Sequence, residues 1–257
     1  WSWNHQSAAL VLQAVFKKQP VIVDTIELDK RFFMAAASDK IGSRTCESFV
    51  EAAALVSNEC FAKQYHRLVR NDTLKMTRDR SANFVIQALL SACPTDSLFA
   101  VILDELSQEP QIIVDKMGIL FKIMEWPVRK GRAFDKTIAF LYEAFEAKTP
   151  DAKQALVKRL QSTQMGLSIL ALLPSYPADL NKYIVDGFLD LTDADLLRMS
   201  VDRTAAHCVE AFLNTTHSTI SQKARSKICR KLVPSAADLA VHPAGSFVLE
   251  RAFQAAP

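Results

Sequence analysis

Residues 79–90 read DRSANFVIQALL, and this twelve-residue segment returns along the chain in altered form. Its clearest relative is HPAGSFVLERAF at 242–253. The other copies are DRTAAHCVEAFL (202–213), DKIGSRTCESFV (39–50), HQSAALVLQAVF (5–16) and, more weakly, DKMGILFKIMEW (115–126) and TQMGLSILALLP (163–174). The motifs therefore begin near 5, 39, 79, 115, 163, 202 and 242. Self-similarity at about 40 residues is typical of a repeat array.

Each copy has the pattern of a capped helix with one buried face. Asp39, Asp79 and Asp202 open their motifs, where a side-chain oxygen can accept from unpaired backbone N–H groups. Apolar residues recur at the seventh, eighth and eleventh positions and form one buried stripe. The fourth position is always small, which lets a neighbouring helix approach closely: Ala8, Gly42, Ala82, Gly118, Gly166, Ala205 and Gly245.

Amphipathic stretches at 96–106, 135–145 and 224–232 separate the motifs and predict further helices. Each unit is then two or three short helices that cannot bury its apolar face alone. Stacking the units makes the core continuous, so the sequence predicts an all-α solenoid over 1–257.

The bulk composition narrows the class of protein without naming a ligand. A formal charge of +3 is too small to indicate nucleic-acid binding, although a balanced total can hide a basic face. Five cysteines without a CxxC favour a reducing compartment, and Cys46, Cys208 and Cys229 are expected to pack as small apolar residues. No apolar run approaches the roughly 20 residues that cross a bilayer, so no membrane partner is expected. Because the chain starts at Trp1 within a helical pattern, we interpret it as part of a longer protein.

Motifs of catalysis are missing from the sequence. There is no HExxH, GxSxG, Walker loop or GxGxxG, and no cysteine–histidine cluster has zinc spacing. Ser168 follows one glycine inside a repeat helix, and Asp193 with Asp195 marks a helix start, where carboxylates are favoured. We therefore expect neither an enzyme nor a cofactor, metal or small-molecule substrate.

The fifth, sixth and ninth motif positions distinguish this array from HEAT and armadillo repeats. They hold Ser43-Arg44-Glu47, Asn83-Phe84-Gln87 and Ser246-Phe247-Glu250, which resemble the base-reading positions of Pumilio-type (PUF) repeats. The resemblance covers nearly the whole chain, with all seven motifs in register. It is closest to the nucleolar protein nine family, on the evidence of four segments: 82–90, 116–126, 196–213 and 221–253.

That resemblance implies a right-handed α-α superhelix, C-shaped and longer than the seven motifs present. It implies binding of single-stranded or structured precursor of the small-subunit rRNA in the nucleolus, inside the nucleus. The factor would control processing of that RNA and would have pre-ribosomal proteins as partners. Three alternatives stay open: a protein-binding scaffold in a pre-ribosomal particle, a Pumilio-like factor of the large subunit, and a factor of mRNA.

Fifth and ninth positions lie one helical turn apart, so both side chains can hydrogen-bond one base edge, while the sixth stacks between bases. By the family's code, Asn83 with Gln87 prefers uracil. Ser43 with Glu47, and Ser246 with Glu250, prefer guanine. The candidate stacking residues are Arg44, Phe84, His207 and Phe247, whereas Gln13 and Glu210 keep half of a reading pair.

Two copies depart from this pattern and are expected not to read bases. They place Ile119, Leu120 and Ile123, then Leu167, Ser168 and Ala171, at the reading positions. The 48-residue spacing between these copies predicts an inserted loop at 127–136. Its basic residues are candidates for phosphate contact or for a solvated loop: Arg129, Lys130 and Arg132.

Simpler interpretations remain for several of these residues. Asn83-Phe84-Gln87 can be a polar helix surface, and Arg44 with Glu47 can be a surface ion pair. His207 can cap a helix or be partly buried. His5 and His242 stand where other copies have Asp, which favours capping over metal binding.

Overall fold

The protein is described by a computed structural model covering residues 3–256. All regular secondary structure in that part of the chain is helical, and the predicted all-α repeat fold is confirmed. The helices group into two compact units, which meet along the chain between Trp126 and Pro127. They are called unit 1 and unit 2 below.

Unit 1 contains eight α-helices, a 3-10 helix and the start of a ninth α-helix. In chain order they are α1 (Gln6–Lys18), α2 (Ile22–Thr25), α3 (Lys30–Ala37), α4 (Gly42–Val56), α5 (Asn58–Leu68), α6 (Thr73–Arg78), α7 (Ala82–Ala92), α8 (Asp96–Leu106), the 3-10 helix (Pro110–Asp115) and α9 (Met117–Lys130).

The helices that carry the motifs form a row in unit 1, because α4 packs against both α1 and α7. The short helices α3 and α6 precede the motif helices, and α5 and α8 follow them. Helix α8 has the bounds that the amphipathic stretch at 96–106 predicts. Each repeat thus uses three helices, and the motif helix contacts its counterparts in the neighbouring repeats.

Aspartates fix the start of the motif helices. Asp39 Oδ1 accepts from the backbone N–H groups of Ile41 and Gly42 at 2.9 and 2.8 Å. Asp79 Oδ1 does the same for Ser81 and Ala82 at 2.7 and 2.8 Å. These bonds confirm the predicted capping and set where each motif helix begins.

A close helix approach explains the small fourth residue at Gly42. A Cβ atom added there would collide with the backbone carbonyl of Ala36 in α3. Helix α3 therefore crosses α4 with no room for a side chain between the two backbones.

The core of unit 1 includes an aromatic cluster around Phe49. Its ring centroid lies 5.7 Å from that of Trp3, 5.5 Å from Phe16 and 6.2 Å from Phe33. Cys46 is also completely buried in α4, as expected for a cysteine that packs as an apolar residue. Aromatic pairs of this kind each contribute about 0.5–1.5 kcal/mol beyond the burial of their area.

Hydrogen bonds also join the third helices of unit 1 to residues one repeat away. Gln64 Nε2 in α5 donates to the carbonyl of Val23, 41 residues earlier, at 3.2 Å. The Tyr65 hydroxyl donates to Glu105 Oε1, 40 residues later, at 2.9 Å. Burial, and then the bond to Glu105, raise the pKa of Tyr65, which therefore stays protonated as a donor. These bonds have the period of the sequence repeat.

Unit 2 holds the remaining helices. They are α10 (Phe134–Ala144), α11 (Pro150–Leu160), α12 (Gln164–Leu172), a 3-10 helix (Leu173–Ser175), α13 (Ala178–Leu189), α14 (Asp193–Val201), α15 (Ala205–Leu213), α16 (Gln222–Leu232), a 3-10 helix (Val233–Ser235), α17 (Ala236–Val241) and α18 (Pro243–Ala255).

Unit 2 repeats the arrangement of unit 1. The motif helix α15 packs against the motif helices α12 and α18, and α10 and α16 occupy the stretches predicted at 135–145 and 224–232. Asp202 Oδ1 caps α15 through the N–H groups of Thr204 and Ala205. His242 Nδ1 accepts from Ala244 and Gly245 N–H groups at 3.2 and 3.3 Å, which confirms that this histidine is a cap.

The prediction of an inserted loop at 127–136 is wrong. Helix α9 continues through Pro127 to Lys130, so Arg129 and Lys130 belong to its last turn. Only Gly131–Ala133 separate α9 from α10, and Gly131 and Ala133 have positive φ angles of 72° and 63°. The φ that proline adopts is compatible with a helix, so α9 accommodates Pro127 although the missing N–H removes one backbone hydrogen bond, and the additional residues form helix.

The fourth motif is also out of phase with the rest. Its predicted reading positions, Ile119, Leu120 and Ile123, are all 0% exposed, whereas sixth positions elsewhere face solvent. A Cβ on Gly118 would contact the Gln87 side chain, not the backbone six residues earlier as at Gly42. The prediction that all seven motifs share one register is therefore wrong for 115–126.

Candidate nucleic-acid interface

Sixth-position side chains project from the motif helices because the fifth, seventh and eighth positions face the core. Phe84 is 42% exposed and Phe247 is 61% exposed, although both are aromatic. Arg44 and His207 are exposed at the same motif position. Large exposed aromatic side chains at a repeated position are unusual unless they bind something.

Arg44 and Phe84, from neighbouring repeats, lie against each other. The guanidinium carbon of Arg44 is 5.5 Å from the centroid of the Phe84 ring. A flat base inserted between two such groups needs about 7 Å, which is two contacts of about 3.5 Å. In the free protein the arginine therefore fills the space that a stacked base would take.

Arg44 also pairs with Glu47 on its own helix. Its Nη1 lies 3.4 Å from Glu47 Oε2, which is the ion pair that the spacing allows. Burial raises the pKa of Glu47, and Arg44 opposes that shift only in part. Glu47 Oε1 is buried without a hydrogen-bond partner, so this carboxylate keeps an unused acceptor.

Side chains at the fifth position are bonded to their own helices. Ser43 is 3% exposed and its Oγ donates to the carbonyl of Lys40 at 3.3 Å. Asn83 is 8% exposed, and its Nδ2 donates to the carbonyls of Asp79 and Arg80 at 3.0 and 2.8 Å. Both N–H groups of Asn83 are thus occupied, which limits what this residue can offer a base.

Gln87 completes this group in the third repeat. Its Nε2 donates to Asn83 Oδ1 at 3.1 Å, so Asn83 orients the glutamine amide. The second N–H of Gln87 and its Oε1 are not used in that bond and can pair with a ligand. The predicted pair is brought together, but Gln87 alone presents both a spare donor and a spare acceptor.

In unit 2, His207 and Glu210 lie together on α15. His207 Nδ1 is 3.5 Å from Glu210 Oε1, and the histidine side chain is exposed, which makes it neither a cap nor a partly buried residue. Ala206, at the fifth position, is buried. In this repeat the sixth-position residue, His207, and the ninth-position residue, Glu210, therefore contact each other, and the fifth position has no polar side chain.

The last motif helix, α18, presents its predicted residues at the surface. Ser246 Oγ donates to the carbonyl of Pro243 at 3.1 Å. Glu250 is exposed, and its Oε1 accepts from Gln254 Nε2 at 3.2 Å. Phe247 stands between them along the helix, so this site has the same three side chains facing out that the motif predicts.

The first and fifth motifs offer less. Gln13 is half-buried, and its Nε2 lies 3.5 Å from Thr45 Oγ1, at the limit of a hydrogen bond. In the fifth motif Leu167 is buried, while Ser168 is half-buried and donates to the carbonyl of Gln164. The fifth motif keeps the phase of the others but has short or apolar residues where readers stand.

Sequence reasoning missed three side chains in the fourth repeat. Phe121, Lys122 and Glu125 are half-buried on the outer side of α9, beside Gly118. The sequence does contain a signal for them. The apolar pairs at 119–120 and 123–124 lie four residues apart and mark the buried face of α9, so residues 121, 122 and 125 must lie on the other side. Alignment on the small residue Gly118 concealed it.

Residues 3–256 lack the features of two other kinds of site, a metal centre and a membrane-spanning helix. No group of three or more His, Cys, Asp or Glu side chains there is arranged to hold a metal ion. In the same range, no helix has both the length and the apolar content that crossing a bilayer requires.

Comparison with known proteins supplies the family context. A family model described as NOP9-like PUF repeat domain matches residues 4–257. Pumilio homolog 23 of Arabidopsis thaliana is 22% identical over 245 residues, which cover 86% of this chain and 32% of that protein.

Solved structures resemble the chain over nearly its whole length. The structure of APUM23–GGAAUUGACGG gives a TM-score of 0.84 at 21% identity, covering 98% of this chain and 53% of that chain. PUF-8 in complex with PBE-RNA gives 0.59 at 14% identity, covering 96% and 66%. These similarities show the fold. The chain spans about a third of the curated relative and about half of the solved APUM23 chain.

Proposed function

Because the chain belongs to the family of NOP9-like PUF repeat domains, built of Pumilio-type RNA-binding repeats, we propose that its motif helices bind single-stranded RNA, one base at a time. The observation that carries the proposal is the exposed sixth position, with Phe84 and Arg44 from adjacent repeats 5.5 Å apart. A base that displaces the arginine contact gains one aromatic and one guanidinium face. Each such stack contributes about 1–3 kcal/mol.

The proposed target is precursor rRNA of the small ribosomal subunit, bound in the nucleolus, where the protein would control processing. Family membership supports this target. The structure of APUM23 was solved with GGAAUUGACGG, which contains uracil and is therefore an RNA sequence. Pre-ribosomal proteins are the proposed protein partners. We further propose that the repeats without reading residues let the site accept RNA that is partly structured.

Base recognition falls mainly on the ninth position. Gln87 has a free donor and a free acceptor, which match the N–H and oxygen edge of uracil. Glu47 and Glu250 offer carboxylate acceptors to the two N–H donors of guanine. Asn83 orients Gln87 through its Oδ1, while the polar hydrogens of Ser43 and Asn83 are bonded to carbonyl groups just before their own helices.

The test is selection of bound RNA from a random pool, followed by the double substitution Asn83→Ser with Gln87→Glu. We expect one position of the selected sequence to change from uracil towards guanine. Gln108→Glu, on an exposed residue after α8, is the matched control and should leave the sequence unchanged. An unchanged preference in the double variant, together with a harmless Phe84→Ala, contradicts base reading by this repeat.

Salt dependence separates the proposal from a protein-binding scaffold. An RNA binder releases counterions, so its affinity falls steeply with salt, with a slope of about −0.7 per phosphate contacted. RNA affinity that is weak and independent of sequence favours the scaffold. Cross-linking of the protein in cells and sequencing of the bound RNA tests the target: reads in large-subunit precursor or in mRNA contradict the small-subunit assignment.

A further inference from the structure

The fourth repeat presents an aromatic side chain where its neighbour presents a base reader. On α7 the half-buried or exposed stripe includes Phe84, Gln87 and Ser91. On α9 the corresponding stripe is Gly118, Phe121 and Glu125, each 34 residues later. Phe121 therefore occupies the place of Gln87, one repeat on.

We propose that Phe121 is a nucleobase platform that holds one base of the RNA flat against its ring without reading its identity. The inference rests on the proposed function, since it adds a site to the same interface. A phenyl ring has no hydrogen-bonding group, so it can contact the face of a base but not select its edge. Every base has such a face, and stacking is therefore tolerant of sequence.

Phe121 lies on the same side of α9 as Gly118, against which the Gln87 side chain of α7 packs. Helical side chains point towards the N-terminus, so the ring lies over Gly118, three residues earlier. Gly118 contributes no side chain there. Instead the amide of Gln87 occupies that position, since a Cβ on Gly118 would lie 2.7 Å from Gln87 Oε1. The Phe121 ring and the Gln87 amide are therefore placed beside each other, next to Gly118.

Lys122 lies over the Phe121 ring, so in the free protein its ammonium group covers a face that a stacked base would take, as Arg44 does at Phe84. Its Nζ is 5.3 Å from the centroid of the Phe121 ring and 3.0 Å from Glu125 Oε2. A base that stacks on the ring would displace the ammonium group from that face, and the lysine, still within reach of Glu125, could then contact the phosphate of the nucleotide. Phosphate contact positions the strand without selecting a base, as stacking does.

The buried side of α9 shows why the platform is not simply core. Ile119, Leu120 and Ile123 already fill the interior and are completely buried. Phe121 lies on the opposite side of the helix, between Gly118 and Glu125, and keeps part of its surface in water. The interruption predicted from the sequence becomes a position that accepts any base.

The experiment uses the tightest RNA selected from a random pool, with 2-aminopurine placed at each position in turn. Stacking quenches this fluorophore. We expect one nucleotide, next to the one that contacts Gln87, to lose its quenching in Phe121→Leu and to keep it in Phe121→Tyr. Phe121→Ala should weaken binding about 5- to 150-fold. Exchange among the four bases at that nucleotide should change the affinity of the unsubstituted protein by less than about threefold, whereas exchange opposite Gln87 should change it more.

Three outcomes overturn the platform. Quenching and affinity unchanged in Phe121→Leu, while Phe84→Ala weakens binding, leave the proposed function intact and refute only this inference. A strong base preference at the quenched nucleotide refutes tolerant stacking. If the unsubstituted protein binds no RNA, both proposals fall. Recovery of quenching in Phe121→Tyr excludes a mere folding defect.

Discussion

Glu47 experiences two opposing influences within one helical turn. Burial disfavours its charged form and raises its pKa, while the guanidinium of Arg44 at 3.4 Å favours that form. The raised pKa shows that burial prevails. RNA that draws Arg44 towards a base would remove part of the compensation, and the guanine donors would take its place beside the carboxylate.

This balance predicts a pH effect on guanine recognition. Guanine offers two donors, so its partner must be the ionised carboxylate. As pH falls through the raised pKa of Glu47, the affinity for guanine at its position should fall by about tenfold or more, beginning above pH 4.5. Titrating Kd against pH for RNA with guanine or adenine at this position tests the effect. In Glu47→Gln the guanine advantage should be small at every pH, and a persistent pH-dependent advantage contradicts the assignment.

The raised pKa of Glu47 also affects the stability of the fold, and it does so unfavourably at neutral pH. A carboxyl whose pKa is raised by folding favours the folded state below its unfolded pKa, and that contribution is lost as pH rises through the folded pKa. Glu47 therefore disfavours the fold at neutral pH.

At the scale of the helix, the aspartates at 39, 79 and 202 fix where the motif helices α4, α7 and α15 begin. Asp79 accepts from two backbone N–H groups, and these determine that α7 begins at Ala82. The exposed Phe84 is then in the first turn and Gln87 in the second. A start shifted by one residue would rotate both side chains by about 100° around the helix axis and away from this face.

Removing this cap should cost about 1 kcal/mol, and Asp79→Asn should cost less, because asparagine also caps helices well. Burial raises the pKa of Asp79, but the N–H groups of Ala82 and Ser81 outweigh it and the pKa is lowered. Its contribution is thus present above the unfolded pKa and is lost as pH falls through the folded one. Urea unfolding of Asp79→Ala and Asp79→Asn at pH 7 and pH 3 measures both effects. Equal pH dependence in Asp79→Asn and the unsubstituted protein contradicts the role of this carboxylate.

At the scale of the molecule, two compact units share one pattern of helices. Unit 1 has its aromatic cluster around Phe49, and unit 2 has Phe188 stacked on Phe212 with centroids 3.8 Å apart. In a repeat array, stability is a sum of local terms and contacts between neighbours. Damage to one core should therefore spread over few repeats.

Phe49→Ala should remove about 3–5 kcal/mol from unit 1, because it empties a completely buried aromatic site. Amide hydrogen exchange should then quicken strongly in α4 and its neighbours α1 and α7, and much less in α15 and α18. Phe212→Ala, in a completely buried site of α15, is the reciprocal variant. Uniform acceleration throughout the chain in both variants would show that the array unfolds as one cooperative body.

Most of the fold could be predicted from the spacing of the apolar residues along the sequence. This spacing located α8, α10 and α16, and the aspartates at 39, 79 and 202 marked the starts of three motif helices. It did not reveal the burial of Asn83, because asparagine looks the same in a sequence whether its amide bonds to its own helix or to a ligand. The phase of α9 was missed for a similar reason: Gly118 is small as at Gly42, but it opens towards a side chain, not a backbone.

The contact between Arg44 and Phe84 has a consequence for the apparent affinity of the proposed RNA binding. A cation–π contact at an exposed site holds its partners together by about 0.5–1 kcal/mol, so the separated arrangement is a minor population of about 15–30%. A base can enter only that population, which weakens the apparent affinity about three- to sixfold. When RNA leaves, the arginine covers the ring again. If RNA binds as proposed, the pair would separate to admit a base and re-form when the base leaves, without an external energy source.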